Sequence, residues 1–293
     1  MKKILALLLA LISVFALAAC GSSSAPAAPT ATPAAETPAA SEEAAQSSEP
    51  VTVRIGLTGA VYEPIWDVVK EKLAPEGINL EYVQFNNFSL PNNALNNGEI
   101  EINAFQHHAF FNNDTSSNGY DLAAIGDTYI VAMDIFSDKI KDLSELKDGD
   151  LVAVPNDVTN EGRALKLLES AGIIEIDPAA GNSPTINDIT GYKVQVKFQE
   201  VDANLVPSIL PDVTIAVVNG NYALDAVLKA EDALFKESEY ADNSYYCLIA
   251  VRSADAENPV YQRIVEAYQC DEVIDVYNGQ FAGFFTPTWK LEG

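Results

Sequence analysis

Histidine, cysteine and positive charge are scarce in this chain, and each scarcity excludes something. His107 and His108 are the only histidines among 293 residues. Adjacent side chains point different ways on a helix or a strand, so the two do not grip one metal, and no third His completes a zinc set. Neither a metal nor any other cofactor is expected. Cysteine occurs three times, at Cys20, Cys247 and Cys270. A domain of this size needs no disulfide, and free Cys is among the most buried residue types, so Cys247 and Cys270 are expected as buried thiols. Lys and Arg number 17 against 42 acidic residues, a formal net charge of -25. That balance argues against nucleic acid or an anionic bilayer as a contact surface. Also missing are a Gly-x-Ser-x-Gly nucleophile elbow, a phosphate-cradling glycine loop and a His–Glu–His spacing. Nothing among the residues asks for a reaction, and no catalytic residue is assigned.

What is present begins with an address. Lys2 and Lys3 precede an apolar run from Ile4 to Leu17, too short to span a bilayer and laid out like a secretory signal peptide over residues 1–19. Leu17-Ala18-Ala19-Cys20 resembles the bacterial lipobox, which would make Cys20 the lipidated first residue of the mature chain. Each buried acyl methylene is worth roughly 0.8 kcal/mol, so several chains on one residue hold a protein at a membrane. Residues 20–50 are Ala, Pro, Ser, Thr and Glu without an aromatic, a composition that stays extended as a tether. The expected location is the extracytoplasmic face of the cell membrane, with the lipid as the only membrane contact.

From Val51 onward, strand-like and helical runs alternate. Val51 to Leu57, Leu80 to Phe85, Ile100 to Phe105, Leu151 to Pro155, Val194 to Val201 and Thr214 to Val218 read as strands. Tyr62 to Leu73, Leu90 to Leu95, Asn160 to Ala171 and a long segment from Tyr261 to Tyr277 read as helices, with Gly172 capping the third. Such alternation implies α/β architecture with mostly parallel sheets. Two sheets fit two lobes, here 51–131 with 246–293 and 132–245, and ligands sit beyond the carboxyl ends of strands. No later apolar run reaches the length of a membrane helix.

Three stretches after strands carry polar or aromatic groups. Pro155 to Leu165 opens a helix whose first N–H groups are unpaired, and Arg163 in its first turn would offer a planar fork to a carboxylate. A surface Arg balancing Asp157 and Glu161 is an equally good reading of the spacing. Asn219-Gly220-Asn221 suits a zwitterion's polar groups and equally suits a turn. Asn103 to Phe111 holds both histidines among aromatics, which by default belong to the core.

At these residues the chain resembles the methionine-binding lipoproteins of bacterial ABC importers, the MetQ/NlpA family. The landmarks are Phe85 to Asn92, Asn103 to His107, Val154 to Leu165 and Ala216 to Asn219, in order and spread over nearly the whole domain. The resemblance implies a two-lobed periplasmic-binding-protein fold, type II-like, with the ligand cleft between lobes and no enzymatic activity. It implies a monomer that hands an amino acid to a permease driven by a cytoplasmic ATPase. Position by position, it puts Arg163 on the ligand carboxylate with Asn160 in support, and Asn219 on the ligand's backbone polar groups. Phe88, Phe105 and Phe110 would wall the side-chain pocket and His107 would line it. Phe88 and Phe110 stand where the family commonly has Tyr, and Val158 where it has Pro. Cys247 stands where it has a ligand-contacting Asn. The implied ligand is L-methionine or a related amino acid. A Met-containing dipeptide, or a surface lipoprotein of the same fold acting through protein contacts, is the alternative.

Overall fold

The computed structural model describes residues 49–238, 240, 242–281 and 283–291. The expected signal peptide, Cys20 and nearly all of the tether lie outside these residues.

The chain opens with Val51–Thr58 (β1), whose Val53, Ile55 and Leu57 are fully buried. Helix Glu63–Leu73 (α1) starts with Pro64 in its first turn and buries Ile65, Trp66, Val69 and Leu73 along one stripe. Gly77, at φ 78°, turns the chain into Ile78–Phe85 (β2), parallel to β1 from Val51↔Ile78 to Thr58↔Phe85. Pro91–Asn96 (α2), Ile102–Asn103 (β3), His108–Asn118 (α3) and Leu122–Asp127 (β4) follow. A short strand, Tyr129–Val131 (β5), leads across to Met133–Phe136 (β6). Next come Leu151–Pro155 (β7), Val158–Ser170 (α4), a hairpin of Ile174–Ile176 (β8) and Ile189–Tyr192 (β9), and Lys197–Val201 (β10). Ile215–Asn219 (β11), Gly220–Asp225 (α5) and Phe235–Lys236 (β12) complete this half. Leu248–Arg252 (β13) then returns to the first half, followed by Pro259–Tyr268 (α6), Asp271–Gln280 (α7) and Phe285–Pro287 (β14), the last paired with β5.

Two five-stranded sheets result, ordered β2-β1-β3-β13-β4 and β10-β7-β11-β6-β12. Each is the centre of a lobe. The sheets are mixed rather than mostly parallel. β1 runs parallel to β2 and β3, and β7 to β10 and β11, but β13 is antiparallel to β3 and β4, and β6 to β11 and β12. The cause is the crossing of the chain. Parallel strands end at the cleft, whereas β6 and β13 arrive from the other lobe and start there. Met133 opens β6 opposite Asn219, which closes β11.

The central strands of the second sheet, β7, β11 and β6, are buried on both faces, which explains their unbroken apolar runs. Ile215 and Val217 pack with Leu165 and Leu168 of α4, while Ala216 and Val218 face Val206 and Phe284.

Two expectations from sequence fail locally. Strand β3 spans only Ile102–Asn103; beyond it residues 104–107 keep single contacts, Ala104 N to Gly56 O, Leu248 N to Gln106 O and the isolated His107–Cys247 bridge, and residues 105–107 line the cleft. The segment Tyr261 to Tyr277 is two helices, broken where Gln269 adopts ψ 55° and Cys270 is extended. The break lets α6 and α7 both pack on α1, with the Tyr268 and Tyr277 hydroxyls 2.7 Å apart. Cys270 sits at this joint and is half-buried, so only Cys247 is a fully buried thiol; both are free.

Candidate ligand-binding site

Between the lobes lies an inner cavity of ≈ 20 Å³, room for about one ordered water. An amino acid enters only if the lobes part. All eight binding residues named from sequence line it, and Gln106, Val131 and Asn221 line it with them.

The polar wall starts at the N-terminus of α4. The Asp157 carboxylate caps the helix by accepting from Asn160 N at 3.0 Å, and also accepts from Asn160 Nδ2 at 2.9 Å. That second bond fixes the orientation of the Asn160 amide, so its Oδ1 faces the other way. There it accepts from Asn219 Nδ2 at 2.9 Å and from His107 Nε2 at 3.4 Å. With its Nδ2 used, Asn219 presents Oδ1, a buried acceptor with no hydrogen-bond partner among the described residues. The Asn221 Nδ2 donor is buried and equally unpartnered. Buried polar atoms are nearly always satisfied, and here an acceptor and a donor without partners among the described residues belong to residues lining one cavity. Asn219 is the N-cap residue of helix α5, so the Asn-Gly-Asn stretch opens a helix and is not a free turn.

Arg163 is 2% exposed and lies in the second turn of α4, not the first. Its fork is already taken. Nε and Nη2 donate to the Glu237 carboxylate at 2.8 and 2.5 Å, and Nη2 donates also to Val131 O at 2.8 Å. The Tyr245 ring covers the guanidinium at 4.4 Å. Burial alone would pull the Arg163 pKa down, but the Glu237 carboxylate more than offsets this and holds it above the ordinary value. Glu237 was not read from sequence. It lies 74 residues from Arg163, in a stretch with no motif, and a spare carboxylate among 42 acidic residues gives no signal.

The opposite wall is aromatic. Phe88, Phe105 and Phe110 form a triangle with ring centroids 5.9 to 6.0 Å apart. Tyr222, from the other lobe, lies 4.9 Å from Phe88. His107 caps α3, its Nδ1 accepting from Phe110 N at 3.0 Å. This sets the tautomer: Nε2 carries the proton and donates to Asn160. Burial, helped by the nearby Arg163 cation, pushes the His107 pKa down to about 3, so the ring is neutral. Cys247 bridges His107 across an isolated antiparallel pair, and burial pushes its thiol up to about 12. Its neighbour His108 turns away to Asp127 at 2.6 Å, so the histidines do not converge, and no metal-binding cluster occurs among the described residues.

Behind the aromatic wall lies a buried amide network. Asn92 Oδ1 accepts from Asn103 Nδ2 at 2.9 Å and from Gln106 Nε2 at 2.6 Å, and Asn92 Nδ2 donates to Asp114 at 2.8 Å. These amides tie Asn103, at the end of β3, to Gln106 and so fix the segment that carries Phe105. In front, beyond Phe88 and Phe110, is an outer chamber of ≈ 280 Å³ lined by Asn87, Asp114, Asn156 and Asp202 among others. It is the way in.

Two lobes around mixed sheets, with a cavity at the strand ends, are the architecture of a solute-binding protein. The chain belongs to the NlpA lipoprotein family, whose model matches residues 53–289. It is 40% identical over 244 residues to the D-methionine-binding lipoprotein MetQ of Salmonella typhimurium, covering 82% of this chain and 88% of that one. It is 35% identical over 290 residues to outer membrane lipoprotein 1 of Mannheimia haemolytica, covering 98% and 99%. Among solved structures, a nutrient binding protein from Burkholderia cenocepacia bound to methionine shares 37% identity at TM-score 0.77, covering 80% of this chain and 99% of that one.

Proposed function

We propose that this chain is the extracytoplasmic receptor of an ABC importer and captures L-methionine or a related apolar amino acid between its lobes. The observation that carries this reading is the pair of unpartnered polar atoms, Asn219 Oδ1 and Asn221 Nδ2, lining the inner cavity with Arg163. A ligand ammonium donates to Asn219 Oδ1, and a ligand carboxylate accepts from Asn221 Nδ2 and from Arg163 Nη1. Asn160 orients Asn219, while His107 braces Asn160 and Phe110. Phe88, Phe105 and Phe110 enclose the side chain, where a thioether packs well on ring edges. Cys247 fills the position next to His107 as a neutral thiol.

The lobes of this receptor are 51–131 with 246–293 and 132–245, joined where β5 runs into β6 and where the chain returns before β13. Capture is a hinge closure between them. Cys20 carries the lipid, residues 20–50 form the tether, and the receptor works as a monomer beside its permease and ATPase. Tethering raises its effective concentration there without demanding a tight complex. Consistent with an anchor outside the folded part, no helix among the described residues is long and apolar enough to cross a membrane.

Thermal-shift screening of residues 51–293 against the amino acids, both enantiomers of methionine and Met-containing dipeptides tests the reading. Stabilisation by methionine or a close apolar relative is the expected result. A melting curve that no free amino acid or Met-containing dipeptide moves would refute it.

A further inference from the structure

Among the described residues, Arg163 is the only cation lining the inner cavity, and its charge is already matched. The Glu237 carboxylate accepts from Arg163 Nε and Nη2 and from Met133 N at 3.0 Å. The side chains of Arg163 and Glu237 are 1% and 8% exposed, and Val131 O holds the guanidinium from below. A pair tied at this many points is not pulled apart by an incoming ligand. The fork edge of Arg163 therefore belongs to Glu237, and only Nη1, with no partner among the described residues, is left to the ligand.

The other groups nearby do not restore a charge. His107 is neutral, and the partners offered by Asn160, Asn219 and Asn221 are dipoles. Asp134 sits behind Glu237, its Oδ1 accepting from Glu237 N at 3.0 Å. It does not line the cavity. Lys236 is exposed.

We infer that Glu237 makes the cavity a net-charge filter, admitting ligands whose own charges sum to zero and rejecting monoanions and monocations of the same shape. The inference deepens the functional reading above and rests on it. Its physics is the cost of bringing an unmatched charge among buried, poorly hydrated groups. A zwitterion adds no net charge to the neutral pair. A carboxylate without an ammonium leaves the wall one charge negative and Asn219 Oδ1 unpaired. An ammonium without a carboxylate leaves it one charge positive. Were Arg163 unmatched, the monoanion would be the preferred guest. Asp134 behind the pair, when ionised, pushes further against anions.

The test compares three probes with one side chain: L-methionine, 4-(methylthio)butanoate, which lacks the ammonium, and L-methioninamide, which lacks the carboxylate. Binding is measured by calorimetry on the wild type and on Glu237→Gln. The wild type is expected to bind methionine at least about 100-fold more tightly than either single-charge probe. In Glu237→Gln the gap between methionine and 4-(methylthio)butanoate narrows by about tenfold or more, while the gap to methioninamide widens. Simple damage to the site would weaken all three together. Unchanged gaps in a folded Glu237→Gln protein overturn the filter. So does a wild type that binds methionine and 4-(methylthio)butanoate within about threefold of each other, a result that stands even if the variant fails to fold. Failure of the wild type to bind any of the three removes the functional reading itself, and the filter with it.

Discussion

The two walls of the inner cavity are held by different physics. On the α4 side, each polar group has its orientation dictated by the next: Asp157 sets Asn160, Asn160 sets Asn219, and Glu237 sets Arg163. On the α3 side, three phenylalanines touch at their rings without a hydrogen bond among them. A chain of directional bonds fails as a unit when one member is lost, because the next is left unsatisfied in a dry place. An aromatic wall tolerates exchange, losing area by increments. The polar wall is therefore suited to the backbone groups that every amino acid shares, and the aromatic wall to a side chain that evolution can retune.

The sharpest way to break this contrast is Arg163→Ala. It removes the cation from the site and strands the Glu237 carboxylate in the interior, so stability falls by about 3–5 kcal/mol and methionine binding drops below detection. Adding Glu237→Ala to the same protein removes the stranded charge and recovers much of the stability, but none of the binding. Denaturant unfolding and calorimetry read the two effects separately. Equal binding by the double variant and the wild type would deny Arg163 any ligand contact. One step down in size, Asn219→Ala deletes the unpartnered acceptor and frees Asn160 Oδ1. Binding should weaken by about 1.5–3 kcal/mol, roughly 10- to 150-fold, since the bond lost is to a charged ammonium. A loss under threefold would show that the ammonium binds elsewhere.

The same contrast explains what the sequence made legible. The opening elements of the first lobe were readable because β1 and α1 are amphipathic and bounded by Gly and Pro. The residues lining the cavity were readable through the family resemblance, since spacing alone left Arg163 balanced between ligand clamp and surface charge. Glu237 was hidden because an ion partner 74 residues away is defined only by folding. Asn221 was in view as part of a turn-like stretch, but its unsatisfied Nδ2 exists only once α5 is packed. The single long helix from Tyr261 failed because no Gly or Pro marks the joint; the signal that was there is a change of phase, since Glu272 and Asp275 fall where the stripe of Ile264, Val265 and Tyr268 would continue, and Val273 and Tyr277 are the buried residues instead. The mixed sheets were illegible for a topological reason: strand direction depends on which lobe the chain has just left.

His107 lies between the walls and gives a pH signature. Its pKa in the fold, about 3, is below the ordinary value near 6.5, so only the unfolded chain takes up this proton as the pH falls from 7 towards 4. This contribution to stability is intact above pH 6.5 and is lost below it, at up to about 1.4 kcal/mol per pH unit. Asp134 acts oppositely. Burial raises it to about 6, so the folded state takes up its proton first and gains stability as the pH falls from 6 towards 4. The difference between His107→Gln and the wild type isolates the histidine. The variant is less stable at pH 7, and the deficit should shrink steadily by pH 5 in urea unfolding. A deficit constant with pH would mean that the ring is charged or exposed.

The smallest effect tests the tolerant wall. Phe110→Tyr adds one hydroxyl at the rim between the inner cavity and the outer chamber, both of which Phe110 lines. The residue is 9% exposed, so the added oxygen reaches the polar outer chamber, where Asn113 and Asp114 lie, without being buried unpaired. Stability should change by less than about 1 kcal/mol, and methionine affinity by no more than about fivefold in either direction. Side-chain preference is the quantity that should move, with more polar amino acids gaining on methionine in competition calorimetry. If instead Phe110→Tyr abolished binding as Arg163→Ala does, the aromatic wall would be as exacting as the polar one, and the division of labour between the walls would be wrong.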